Sequence, residues 1–261
     1  MNRKPSKLLA GAGFAAFLCS SSPVLAQSLG TAASFAVLGG STVTNTGPSV
    51  ITGDLGVSPG SAVTGFPPGV LIGGTIHAAD AVALQAQNDV TTAYNFLAAQ
   101  PCGTDLTGQD LGGLTLTPGV YCFSSSAQLT GTLTLNGPGI YIFQMGTSLT
   151  TASGSAVALT NGASACNVWW QVGSSATLGT TASLPGNLLA LTSITLNTGA
   201  SVSGRALARN GAVTLDGNTV AMCGGAPGAV QVPMLSGWGM TMLMALLALA
   251  AFAAMRRSRS S

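Results

Sequence analysis

Ala176-Thr177-Leu178-Gly179-Thr180-Thr181-Ala182-Ser183 returns 18 residues later as Ile194-Thr195-Leu196-Asn197-Thr198-Gly199-Ala200-Ser201. After a further 19 it returns as Val213-Thr214-Leu215-Asp216-Gly217-Asn218-Thr219. An earlier pair shows the same spacing: Leu114-Thr115-Leu116-Thr117-Pro118-Gly119-Val120-Tyr121 is echoed at Leu133-Thr134-Leu135-Asn136-Gly137-Pro138-Gly139-Ile140-Tyr141, and Leu159-Thr160-Asn161-Gly162-Ala163-Ser164 is a further variant. In each copy apolar residues and threonines alternate, which sends Leu to one side of a strand and Thr to the other. A period of this length suits one triangular coil of a parallel β-helix, three strands of about four residues joined by tight corners. Corners of that kind turn cheaply at Gly or Asn, in keeping with the chain's 36 glycines. Stacked coils would set each outward Thr about 4.8 Å above its copy. An antiparallel sandwich also returns strands at short intervals, but the preserved register favours the solenoid.

One segment breaks the pattern. His77 to Gln100 lacks Gly and Pro, and Ala79, Val82, Ala83, Ala86, Val90, Ala93, Phe96 and Leu97 recur at helical spacing. A helix over about 77–100, opened by His77 and stopped by Pro101, would run roughly 33 Å and cover one apolar side of the coils.

The ends read as targeting segments. Arg3, Lys4 and Lys7 precede the apolar run Leu8 to Cys19, and Val24-Leu25-Ala26 offers small residues for cleavage before Gln27. Residues 1–26 are therefore expected to be a signal peptide. Residues 225–231 read as a linker. Trp238 to Met255 carries no charge and is followed at once by Arg256, Arg257 and Arg259, the pattern of a membrane-spanning helix at about 238–255 with a cytoplasmic basic tail.

Between those ends, over 27–224, two arginines (Arg205 and Arg209) stand against six aspartates, a net charge of −4, with no Lys and no Glu. Nucleic-acid binding is disfavoured because no cationic footprint exists for phosphates. Cys102, Cys122, Cys166 and Cys223 form an even set that reads as two disulfides in an oxidising compartment. Three pairings are open; the short Cys102–Cys122 loop is the first choice, which leaves Cys166 with Cys223. Zinc is disfavoured, since there is no C-x-x-C spacing and His77 is the one histidine. The six aspartates are scattered, so no catalytic constellation emerges and no cofactor is called for. Arg205 and Arg209 read as solvated surface positions. Of Trp169 and Trp170, alternation puts one in the core and one at the surface, where it could serve as a sugar platform.

Two resemblances follow from particular residues. Val232 to Met240, with Pro233, Leu235, Ser236, Trp238, Gly239 and Met240 ahead of the apolar run and the arginines, resembles the IPTL-type sorting signal read by exosortase-like membrane proteases. It implies transient anchoring, then release to the cell surface or beyond. Phe35-Ala36-Val37-Leu38-Gly39-Gly40-Ser41-Thr42-Val43-Thr44-Asn45-Thr46-Gly47, Gly53 to Gly60, the segment after His77, Leu116 to Tyr121, Gly139 to Gln144, and Asn167-Val168-Trp169-Trp170-Gln171-Val172-Gly173 resemble the ice-binding-like family (the DUF3494 domain) over roughly residues 28–223. That resemblance implies a discontinuous right-handed β-solenoid with a long helix packed alongside. It also implies coils not stacked in strict sequence order, which leaves room for a distant Cys166–Cys223 bridge.

The implied function is binding to an ice crystal surface through one flat face. Several members carry Thr-(Ala/Gly)-x-(Thr/Asn) there; Thr46-Gly47-Pro48-Ser49 and Thr198-Gly199-Ala200-Ser201 match its first two positions and end in Ser. The expected site is therefore Thr46, Ser49, Thr180, Thr198 and Ser201, with Thr177 and Thr195 as the neighbouring row. The sorting tail motivates a second expectation, a structural or adhesive protein of the biofilm matrix with exopolysaccharide as partner.

Overall fold

The computed structural model describes residues 28–224. The expected leader, linker and apolar run, and the sorting residues Pro233, Leu235, Ser236, Trp238 and Gly239, lie outside the described residues. Among the described residues every strand pairing is parallel. Fifteen strands form one sheet and seven another, and a single long helix, Ala81–Ala98, packs alongside. The copies read from the sequence are stacked neighbours: Ala176, Thr177 and Leu178 pair with Ile194, Thr195 and Leu196, and Ile194 and Thr195 pair with Val213 and Thr214.

Register turns repetition into a core. Leu178, Leu196 and Leu215 all point inward and are buried, and parallel stacking brings like side chains together. Tyr121, Phe143 and Trp170 occupy successive rungs, with ring centroids 5.4 and 4.2 Å apart. The Trp170 indole donates to the Pro185 carbonyl at 2.9 Å, so its polar end is satisfied inside. Trp169, on the opposite side of the strand, is buried too, because it lies under the helix. The expected surface tryptophan is corrected accordingly: a strand covered on both faces has no outward side.

The long strands Ser183–Ala190 and Ser201–Ala208 serve two ladders. Ser183 pairs with Ala156, whereas Asn187 to Ala190 pair with Trp169 to Val172. The change of ladder falls at Gly186 (φ +118°) and Gly204 (φ +157°), which are partners in register. A Cβ on Gly204 would lie 1.9 Å from the Gly186 carbonyl oxygen, so the crossing requires glycine. Beyond it Leu189 and Leu207 face the helix, where they meet Ala83, Ala86, Val90, Ala93 and Leu97.

The helix begins at Ala81 rather than at 77. Residues Ile76–Ala78 form an edge strand, Ala79 takes a left-handed turn (φ 53°), and Asp80 is the N-cap, accepting from the Ala83 amide at 2.8 Å. His77 thus belongs to the strand and does not open the helix. Val82, expected on the buried face, is 46% exposed. Both arginines are tied to the fold rather than merely solvated. Arg209 lies 4.7 Å from the centre of the Tyr94 ring and donates to Thr91 Oγ1 at 3.3 Å; Arg205 donates to the Ala33 carbonyl at 2.6 Å and to Asn187 Oδ1 at 2.9 Å.

Strand order departs from chain order. The first strand, Phe35–Gly39, pairs with Ser201–Ala208, Thr42–Thr46 pairs with Val213–Asp216, and Val50–Thr52 pairs with Thr219–Ala221. The N-terminal strands thus lie directly against the C-terminal ones. Cys102 and Cys122 are disulfide-bonded, as expected. The expected second bridge is not formed: Cys166 and Cys223 are neighbours with free thiols.

Candidate functional site

The seven-stranded sheet carries the most regular surface of the molecule. Its strands are short, and in six of the seven an apolar residue precedes an outward threonine, as in Ala176-Thr177-Leu178 and Ile194-Thr195-Leu196. Because the strands are in register, the outward threonines form one row: Thr64, Thr44, Thr214, Thr195, Thr177 and Thr150 follow each other on adjacent strands, and Gln128 ends it. Each of these side chains is exposed or half-exposed. The residue two places earlier in the chain makes a second outward row, with Ser126, Ser148, Ser175, Ser193, Ala212, Thr42 and Ala62. Rows lie about 4.8 Å apart across strands and about 6.7 Å apart along them, a nearly rectangular lattice of hydroxyls and methyls without a charge.

The face is held stiff from beneath. Ala176, Leu178, Ile194, Leu196, Val213 and Leu215 anchor it to the core with almost no exposure. At its margin the Thr198 hydroxyl donates to the Asp216 carboxylate, and within the row the Thr44 hydroxyl reaches that of Thr214 at 3.4 Å.

The expected site residues divide. Thr177 and Thr195 sit side by side in the row. Thr46, opposite Asp216, and the turn residues Thr180 and Thr198 are exposed along the sheet's margin. Ser201 lies on the larger sheet, between Ser183 and Thr219, and so does not share the face. Ser49 is removed from the site: it is 0% exposed, donating to Asn45 Oδ1 and accepting from the Asn218 amide at 2.9 Å. A small hydroxyl that completes a buried corner is unavailable to any external surface. Thr44, Thr64, Thr150 and Thr214 were not anticipated. The signal that finds them is the short unit of apolar residue followed by Thr, repeated as Val43-Thr44, Val63-Thr64, Leu149-Thr150 and Val213-Thr214.

One other cluster has the order of a nucleophilic site. Thr75 Oγ1 lies 2.9 Å from His77 Nε2, and His77 Nδ1 lies 2.7 Å from Asp80 Oδ2. Its partners commit it to structure. Asp80 caps the helix, and the Ala83 amide, then His77, hold its carboxyl below the usual carboxylate value. The Thr75 amide donates to Asp54 Oδ1 at 2.9 Å. The cluster is a clasp between the edge strand and the helix start. Among the described residues, no three His, Cys, Asp or Glu side chains gather as metal ligands, and no helix is long and apolar enough to cross a membrane.

Comparison with known proteins agrees with this geometry. The family model described as ice-binding-like matches residues 37–221. An ice-binding protein of Nostoc sp. (strain HG1) is 59% identical over 225 residues, 84% of this chain and 83% of the relative. The crystal structure of an ice-binding protein from an Antarctic biological consortium superposes with a TM-score of 0.75 at 50% identity, covering 78% of this chain and 94% of that one. The ice-binding protein of the Antarctic ascomycete Antarctomyces psychrotrophicus gives 0.73 at 44% identity, covering 76% and 99%. With the threonine lattice on one side and these relatives on the other, the chain belongs to the ice-binding-like family.

Proposed function

We propose that the protein binds ice crystals, and restrains their growth and recrystallisation, through the open face of the seven-stranded sheet. The observation that carries this reading is the unbroken row of six threonines from Thr64 to Thr150. Ice offers no charge to pair with and no cavity to fill. A binder therefore needs many weak contacts at fixed spacing, which a rigid array of methyls and hydroxyls supplies. Methyls order the water between rows and hydroxyls bond it, so a bound water layer can continue into the crystal. Stiffness matters because a face that is already ordered loses little entropy on binding.

The architecture in this reading is a discontinuous right-handed β-solenoid of triangular section. Its three sides are the seven-stranded sheet, the helix-covered ladder, and the ladder holding Ser183, Ser201 and Thr219. The last side mixes Val70, Val50 and Ala156 among its outward residues and lacks the regular row. The Cys102–Cys122 bridge supports action outside the cell, where disulfides persist, and residues 1–26 have the composition of a leader for that route. The resemblance of 232–261 to a sorting signal supports transient anchoring through an exosortase-like protease. The biofilm-matrix reading with exopolysaccharide has no comparable observation behind it.

Thr195→Tyr, at the centre of the row, should raise the protein concentration needed to inhibit ice recrystallisation by roughly tenfold or more, equivalent to about 1.4 kcal/mol of binding. Ser201→Tyr, on the other sheet, should leave it within about twofold. The opposite ranking, with both variants folded, would move the site to the larger sheet.

A further inference from the structure

We propose that Cys166 and Cys223 are a redox-closable pair, and that oxidation joins them to lock the final described strand into the interior of the larger sheet. Thr219–Ala221, the final described strand, lies between Ser201–Ala208 and Val50–Thr52. Fraying costs least at an edge; this strand is instead interior and joins Ser201–Ala208 to the N-terminal Val50–Thr52. Cys223 follows it by two residues, and Cys166 belongs to the short 3-10 turn Ala165–Asn167.

A polar cluster holds the two cysteines together. Asn187 Nδ2 donates to the Cys166 carbonyl at 3.3 Å, and its Oδ1 accepts from Arg205 Nη1 at 2.9 Å. The same Nη1 lies 3.6 Å from Cys223 Sγ. A Cβ built on Gly224 would stand 3.5 Å from Cys166 Sγ, so the residue after Cys223 lies against the second sulfur. Burial, followed by the hydrogen bond and charge of Cys223, pushes the Cys166 thiol up to about 12, with Arg205 pulling the other way. Cys166 is thus a poor opening nucleophile, which leaves Cys223 as the sulfur at which exchange starts.

The oxidant is the disulfide of an exported dithiol–disulfide oxidoreductase, the class that would also close Cys102–Cys122. The Cys223 thiolate attacks one oxidoreductase sulfur; that S–S bond breaks, and the second sulfur leaves as a thiolate. Cys166 then gives its proton to the departing thiolate and attacks Cys223 Sγ in the mixed disulfide, releasing the other oxidoreductase sulfur as a thiolate that takes up from solvent the proton Cys223 had lost. Two electrons pass from the pair to the oxidoreductase, which ends as a dithiol.

The test uses the full chain, isolated from an oxidising compartment, blocked with maleimide, and digested without reduction for mass spectrometry. The expected result is a Cys166–Cys223 linked peptide beside the Cys102–Cys122 one. Maleimide on both Cys166 and Cys223, persisting after prior treatment with excess oxidised dithiothreitol, would overturn the proposal. The C166S/C223S double variant, which keeps Cys102–Cys122, should melt on the order of 10 °C below oxidised wild type. An unchanged melting temperature in a folded variant would remove the locking role, and the peptide map needs no variant at all.

Discussion

Asp80 and Asp89 bracket the first half of the helix and do different work with the same chemistry. Asp80 satisfies the helix start through the Ala83 amide, while Asp89 Oδ2 accepts both the amide and the hydroxyl of Thr31 at 2.7 Å, tying the first described turn to the helix. Both carboxyls are held below their usual value of 3.8, Asp80 chiefly by the Ala83 amide and Asp89 chiefly by the Thr31 hydroxyl. A carboxylate with a depressed folded pKa contributes stability that is fully present above its unfolded value and is lost as pH falls through the folded one. Melting temperature should therefore stay level from neutral pH to about 5 and drop between about pH 4 and 2. The Asp80→Asn/Asp89→Asn variant should start lower at neutral pH and lose less on acidification; parallel pH curves would contradict this. At this scale Thr177 and Thr195 were legible, because a recurring register names outward residues directly. Ser49 was not, because a motif match carries no information on which way a corner residue faces.

At the scale of the element, the helix shows what periodicity can and cannot reveal. Its inward residues Ala83, Ala86, Val90, Ala93 and Leu97 follow the predicted spacing. Its beginning does not, since Ile76–Ala78 finds a partner in Asp54–Val57 and pairs as a strand before the chain turns at Ala79. Pairing with an existing ladder outweighs the helical preference of a few alanines. The helix packs on the coils through its inward residues, and in the proposed reading it takes no part in binding. Leu97→Ala should cost about 3 kcal/mol in chemical denaturation, yet leave recrystallisation inhibition unchanged wherever the protein is folded. A comparable loss of ice activity in the folded variant would tie the helix to the binding face. The threonine row was only partly foreseen, because Thr44, Thr64 and Thr150 sit in short strands whose neighbours vary, although each keeps an apolar residue just before the threonine; Thr214 lies in the quoted repeat and was legible as an outward residue.

For the whole molecule, the sequence repeat identified which coils touch when they follow one another, as 176–178 and 194–196 do. It gave no sign that Val43 would pair with Val213, or Val50 with Thr219. Those contacts join copies at opposite ends of the chain, and their sequence likeness is no greater than that between any two strands of one design. Cutting the chain after Gly217 should consequently do more than trim an end. It removes the strand between Ser201–Ala208 and Val50–Thr52, and unfolding should become broad or occur at a temperature lower by well over 10 °C. A truncated protein that melts as sharply and as high as the whole chain would show the central strand to be dispensable. The same placement sets an order in time. A chain emerging end first presents Val50–Thr52 while the partner on one side has not yet appeared, and almost the entire described chain must follow before it does. Early strands can pair only among themselves, as Val50–Thr52 does with Val70–Ile72, so the ladder stays open on one side until Thr219–Ala221 arrives to close it.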